Sequence, residues 1–277
     1  MLEYRDVLKT LKVMPLDKLV YPEETSPEAV DEVKTALQGQ DTVSSPIAID
    51  AKSSMILSGV HTARALEELG FQNAVCQTFD AASPSVSLRT WYPVFCCANI
   101  DELRGVVATR DVAFREGMRD LRAMKAAFLL VFDRGRGRES MLVEPSKKAM
   151  APVDFFASQR HALARFSQRH GIRYIPDRGC DEFLKNSCAI VLVRHCLAKK
   201  EVASLVMHRD LVLPPKTTRY IPPTRATGLG FPMEWLHMDA QEAQDRLDTG
   251  LRKRSEQWGI RLSEEPLTLI FNEYAVD

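Results

Sequence analysis

Apolar and polar positions change period several times along the chain, and each change marks an element. Residues 12–20, KVMPLDKLV, alternate loosely, which is the period of a first strand. In the following SPEAVDEVKTALQGQ, Ala29, Val30, Val33 and Leu37 recur at helical spacing. Ser26 stands as N-cap, Pro27 at the first helical position, Glu28 and Asp31 in the first turn, and Gly39 at the end. The short apolar runs SPIAID and SSMILSG predict two buried strands, and VHTARALEELG predicts a helix closed by Gly70. NAVCQTFD and SVSLRTWYPVF are two further strands. Residues 1–95 are thus expected to form one compact α+β unit, with helices inserted between short strands.

Residues 96–277 read as a second, packed α/β part. The stretch 100–130 is predicted largely helical, and KAAFLLVFDRGRGRESMLVEP predicts a hairpin with a solvated basic turn at its tip. PVDFFASQRHALARFSQRHG is an amphipathic helix in which Phe155, Phe156, His161, Ala162, Phe166 and His170 share a spacing, so both histidines are expected as packing residues. CAIVLVRHC is a central strand, AKKEVASLVMHRDLVLP a helix, 240–258 a helix of mixed charge, and PLTLIFNEY a terminal strand. The chain contains no internal repeat, no low-complexity segment and no Ser- or Gly-rich linker.

Charge narrows the function classes. Lys plus Arg equals Asp plus Glu at 37 each, so the formal net charge is zero and the field expected of a nucleic-acid coat is missing. With no recognisable helix-turn-helix, a nucleic-acid partner is not expected. No run reaches the ~18 apolar residues of a membrane helix, and MLEYRDVLKTLKVMPL lacks a signal-peptide h-region, so a cytoplasmic protein is expected. The six cysteines, Cys76, Cys96, Cys97, Cys180, Cys188 and Cys196, form no C-x-x-C pair and are expected as reduced, buried thiols. Cys180, Cys188 and Cys196 with His195 match no zinc spacing, and no metal-ligating residue is assigned.

Three short segments carry chemistry. ILSGVHTARALEELG opens a helix just after Gly59, where free N–H groups and the positive end of the helix dipole favour an anion. Glu23 and Glu24, in the loop VYPEETSPE, are candidate general bases. LVLPPKTTRYIPPTR sets Lys216, Thr217, Thr218 and Arg219 between proline pairs, a stiffened strip of cations and hydroxyls suited to an oxyanion or phosphate.

Taken in order, these segments resemble the ParB/sulfiredoxin-like fold. Its members have a P-I-x-V-D strand followed by a D-G-x-H-R helix start, matched here by SPIAID and by SGVHT. SVSLRTW and the PPKTTR strip resemble one branch, the free serine kinases SerK and SbnI. The resemblance spans most of 10–236, is diffuse over about 95–150 and does not reach the tail. It implies a nucleotide-binding domain over 1–95 and a C-terminal α/β domain, 96–277, that completes the active site. It further implies a kinase that moves phosphate from ATP or ADP, with Mg²⁺, to the hydroxyl of a free amino acid, most simply L-serine to O-phospho-L-serine. Such an enzyme feeds cysteine or specialised-metabolite synthesis.

The base maps onto Glu24 or Glu23. Nucleotide phosphate maps onto Ser58, Gly59, Val60, His61 and Thr62 and onto Lys216 to Arg219. The amino-acid pocket maps onto Trp91, with Ser45 and Tyr220. Three positions depart from the branch: Ser58 stands where it has aspartate, Thr62 where it has arginine, and Tyr220 where it usually has histidine. Losing the carboxylate and the guanidinium weakens metal and phosphate contacts. The alternative is therefore a catalytically lapsed, ParB-like protein that binds a nucleotide or metabolite as a regulator.

Overall fold

A computed structural model of the chain describes residues 4–96, 100–133, 137–145, 151–168, 170–184, 189–256, 260–264 and 267–271. The chain divides into two compact units, Met1–Ser87 with Tyr220–Asp277, and Leu88–Arg219. This differs from the expected 1–95 and 96–277 because the chain from Tyr220 onward returns to the first unit. The returning helix Ala240–Glu256 buries Ala243, Leu247 and Leu251 in the same core as Val13, Ile47, Ile49, Ile56 and Val75. Gln244 on that helix accepts the Val13 backbone N–H at 2.7 Å, which satisfies a strand donor from far along the sequence.

The sheet of the first unit has four strands in the order Leu11–Pro15, Asn73–Phe79, Ile47–Asp50, Ile56–Ser58. Ile47–Asp50 runs parallel to Asn73–Phe79, while the two outer pairings are antiparallel. The first strand is shorter than the predicted 12–20. Pro15 ends it, and Leu16–Lys18 winds into one 3-10 turn that puts Leu16 in the core. The helix after Ser26 is as the sequence implies: it runs Pro27–Gln38, and the Ser26 hydroxyl accepts the Ala29 N–H at 3.2 Å. The second part of the unit is a three-stranded sheet of Arg225–Thr227, Leu267–Phe271 and Ile260–Glu264. The predicted terminal strand is present over 267–271, and the rest of it lies outside the described residues.

The second unit is built on six antiparallel strands, ordered Ile172–Pro176, Trp91–Cys96, Ala189–Val193, Phe128–Asp133, Arg138–Val143, Thr109–Asp111. Both faces are covered, which is why FLLVF and AIVLV are continuously apolar. Phe95, Leu130 and Ile190 meet Ala162, Leu163 and Phe166 of the helix Pro152–Ser167 on one face. Val94, Leu129, Val131 and Val191 meet Leu121 of the helix Phe114–Arg122 on the other. Gly117 on that second helix packs so tightly that a Cβ there falls 2.5 Å from Leu129 Cδ1.

Four expectations are corrected. Residues 100–130 hold two helices, Ile100–Arg104 and Phe114–Arg122, split by the strand Thr109–Asp111, whose pairing with Arg138–Val143 outweighs local helical preference. SVSLRTWYPVF is two strands, Ser87–Arg89 and Trp91–Cys96, broken at Thr90. His161 is exposed rather than on the apolar stripe, whereas His170 lies edge-on to Phe95 and 3.3 Å from Glu102. Only Cys76 of the four described cysteines is buried, and burial pushes its thiol up to about 12; Cys96 and Cys196 are exposed. Cys97, Cys188 and the first part of the basic hairpin tip lie outside the described residues.

Candidate active site

In the first unit the strand Ile56–Ser58 ends at Gly59, which carries φ +101 and caps the helix Val60–Glu68. Only glycine adopts that conformation cheaply. A Cβ at Gly59 also lies only 3.3 Å from Ile47 Cγ1, so the backbone runs closer to the sheet than a side chain allows. Gly59 offers no side-chain acceptor. The first intrahelical bond is Ala63 N–H to Gly59 O at 2.9 Å. The amides of Val60, His61 and Thr62 therefore precede the hydrogen-bonded ladder, at the positive end of the helix. The neighbouring helix is different, because Ser26 caps it internally.

The glutamate loop is fastened beside this helix start at both ends. Val20 donates to Ser54 O at 3.1 Å and accepts from Ile56 N at 2.9 Å, which ties the loop's entry to the strand leading into Gly59. At its exit, the Ser26 backbone N–H donates to His61 Nε2 at 3.4 Å. Accepting at Nε2 fixes the proton of the neutral ring on Nδ1. Glu23 is buried and Glu24 partly exposed.

Tyr220 is buried in the same unit, and burial raises its phenol well above the ordinary tyrosine range, with the charges of Asp50 and Glu23 adding to the effect. The phenol is thus a neutral donor at physiological pH.

Asp50 is a residue the motif reading treated only as a strand marker. Burial alone would raise its carboxyl, but the Ser53 hydroxyl and the backbone N–H groups of Ala81, Ser53 and Lys52 hold it below the usual carboxylate range. Ser53 donates to it twice, at 2.7 and 3.0 Å, and Ala81 N at 2.9 Å, so its oxygens are committed to the turn. An acid closing an apolar strand was the available signal. Ser45 is exposed, and its hydroxyl lies 3.1 Å from that of Thr227. Arg64 does not turn back to the helix start beside Thr62. It pairs with Glu67 at 2.7 Å and lies 4.6 Å over the Tyr21 ring.

In the second unit Trp91, Lys216 and Arg219 come together. Lys216 Nζ is 5.6 Å and Arg219 Cζ 5.0 Å from the centroid of the Trp91 ring. The hydroxyl-rich strip is not the open surface its composition suggests. Thr217 is buried, donates to Pro214 O at 2.7 Å and accepts from Arg194 at 3.0 Å, and Thr218 is also buried. Among the described residues no group of three His, Cys, Asp or Glu side chains converges on a metal position.

No family model matches the chain, and no curated protein matches it. Solved structures do share its fold. Free serine kinase in complex with AMP aligns with a TM-score of 0.67 and 22% identity, over 82% of this chain and 93% of that one. SbnI with a C-terminal truncation, from Staphylococcus aureus, aligns with a TM-score of 0.67 and 18% identity, over 90% of this chain and 98% of that one. A conserved hypothetical protein from Pyrococcus furiosus aligns with a TM-score of 0.66 and 18% identity, over 82% and 97%. These neighbours represent the α+β, ParB/sulfiredoxin-like fold and the SerK/SbnI branch that the motifs resemble. No described helix is long and apolar enough to cross a membrane.

Proposed function

We propose that this chain is a small-molecule kinase that transfers the terminal phosphoryl group of ATP or ADP to the hydroxyl of a free amino acid, most simply L-serine. The observation that carries the reading is the bond between Ser26 N and His61 Nε2, which holds a glutamate-bearing loop against a helix start whose N-cap, Gly59, has no side-chain acceptor. A base beside an anion-binding site is what phosphoryl transfer to an alcohol requires, since catalysis there is mostly positioning and charge neutralisation. The nucleotide-bound free serine kinase structures of the same fold support it.

In this mechanism the amides of Val60 to Thr62 bind the donor's phosphates, with Ser58 and Gly59 admitting them closely. On the second unit, the resemblance assigns Lys216 and Arg219 to phosphate and Trp91 to the amino acid. Glu24, the more open of the pair, takes the acceptor's hydroxyl proton while its oxygen bonds to the terminal phosphorus. The bond to the nucleotide's leaving oxygen breaks, which releases ADP from ATP or AMP from ADP. Glu23 and Tyr220 shape the buried side of the pocket, and Ser45 is the remaining candidate for an acceptor contact.

Mg²⁺ keeps several waters and takes one or two carboxylates plus substrate phosphate oxygens. Asp50 is spent on its turn and Ser58 has no charge, so the ion would be held chiefly by the nucleotide's phosphate oxygens and by water. Bound with the nucleotide, the ion would offset the charge that builds on the phosphates.

One observation favours ligand binding without turnover: Arg64 is committed to Glu67 and Tyr21, and so does not replace the missing guanidinium. The test incubates purified protein with ATP or ADP, Mg²⁺ and a panel of hydroxyl amino acids, read by mass spectrometry. A phosphorylated amino acid supports the kinase. Nucleotide binding by calorimetry with no product overturns it in favour of the binding protein.

A further inference from the structure

Arg194 is 1% exposed, at the end of the apolar strand Ala189–Val193, with its guanidinium 5.6 Å over the Phe128 ring. A charge so placed is costly unless its donors are used. One nitrogen, Nη1, donates to Pro215 O at 3.3 Å and to Thr217 Oγ1 at 3.0 Å. Those acceptors flank Lys216, and Lys216 carries φ +58, the left-handed region that a side-chain-bearing residue enters only at a cost. Such a conformation persists when the surroundings over-determine it. Here they do. Thr217 donates to Pro214 O at 2.7 Å, and its own carbonyl accepts from the Thr90 hydroxyl at 2.8 Å. Thr90 is the residue before Trp91, the ring beneath both cations.

We infer that Arg194, acting through Thr217, is the positioning residue that holds Lys216 in its left-handed turn and sets the Lys216–Arg219 pair on Trp91. The inference rests on the proposed kinase reading only for what the cation pair is for. The buried guanidinium shapes the turn that presents one charge, and Thr90 registers that turn against the indole.

The experiment uses the full chain with Trp235→Phe and Trp258→Phe, so that Trp91 is the remaining emitter. Thr217→Val, Arg194→Met and Arg194→Lys are compared with Lys216→Met and Arg219→Met, each checked for folding by circular dichroism. Lysine keeps the charge but loses the planar fork. The expected result is that all three variants at Arg194 and Thr217 shift Trp91 emission in the direction of the two cation variants. They also weaken ADP binding about tenfold by calorimetry, while Thr217→Ser, which keeps the hydroxyl, restores both. Unchanged Trp91 emission in folded Arg194→Lys or Thr217→Val overturns the inference. If Arg194→Met fails to fold, the lysine and valine variants decide it. An emission shift with ADP affinity unaltered even in Lys216→Met upholds the positioning and overturns the phosphate role of the pair.

Discussion

His61, in the first turn of its helix, accepts the backbone N–H of Ser26 through Nε2 at 3.4 Å, and this single bond ties the cap of one helix to the start of the next. It closes the glutamate loop that Val20 opens. His61→Ala is therefore expected to speed hydrogen exchange at the Ser26 amide and to lower turnover by about ten- to a hundredfold. His61→Gln, whose carbonyl can accept the same N–H, is expected to recover part of both. An unchanged Ser26 exchange rate in His61→Ala would show that the loop is held by its other contacts.

The two glutamates are expected to separate. Glu24→Gln lowers turnover about 10²–10⁴-fold, the range of a lost general base, with ADP affinity nearly intact. Glu23→Gln, at a position 8% exposed, acts first on stability, by about 1–3 kcal/mol in urea denaturation. Single-turnover phosphate transfer together with denaturation of each variant checks the assignment, and the reverse pattern exchanges the roles.

Gly59→Ala is expected to destabilise the protein by about 1–3 kcal/mol, because it adds a Cβ 3.3 Å from Ile47 in a conformation that L-residues disfavour. Thermal denaturation measures the cost. The same variant is expected to weaken ADP, since easing the strain moves the amides of the first turn. Gly70→Ala has a positive φ but nothing within 4 Å, and it serves as the control for strain without crowding.

Tyr220 contributes a pH dependence on the alkaline side. Its folded-state pKa lies above the unfolded value of about 10, so the folded state binds the proton more tightly. That contribution to stability is complete below pH ~10 and is lost as pH rises through the folded value. Tyr220→Phe cannot ionise. Its stability difference from the unmodified protein is expected to be flat from pH 7 to about 9.5 and to move in favour of the variant above pH 10, read by urea denaturation. A constant difference across the alkaline range would place the Tyr220 phenol in water.

Local chemistry follows directly from neighbouring residues. Ser26 capping Pro27–Gln38, Gly59 turning a strand into a helix, and the apolar runs of the two central strands each depend on interactions within a few residues, and each is legible in the letters. The order of the glutamate loop, the Gly59 helix and the basic strip was legible for the same reason. Tertiary structure decided what depends on partners far along the chain. Thr90 breaks a predicted strand because its hydroxyl is drawn to Thr217 O, 127 residues away. Gln244 reaches Val13 across 231 residues and returns the last helix to the first unit. Thr217 looks like a free phosphate donor in sequence, yet Arg194 turns it into a buried brace. A side chain's type fixes which bonds it can make, while its availability depends on what the fold has already placed beside it.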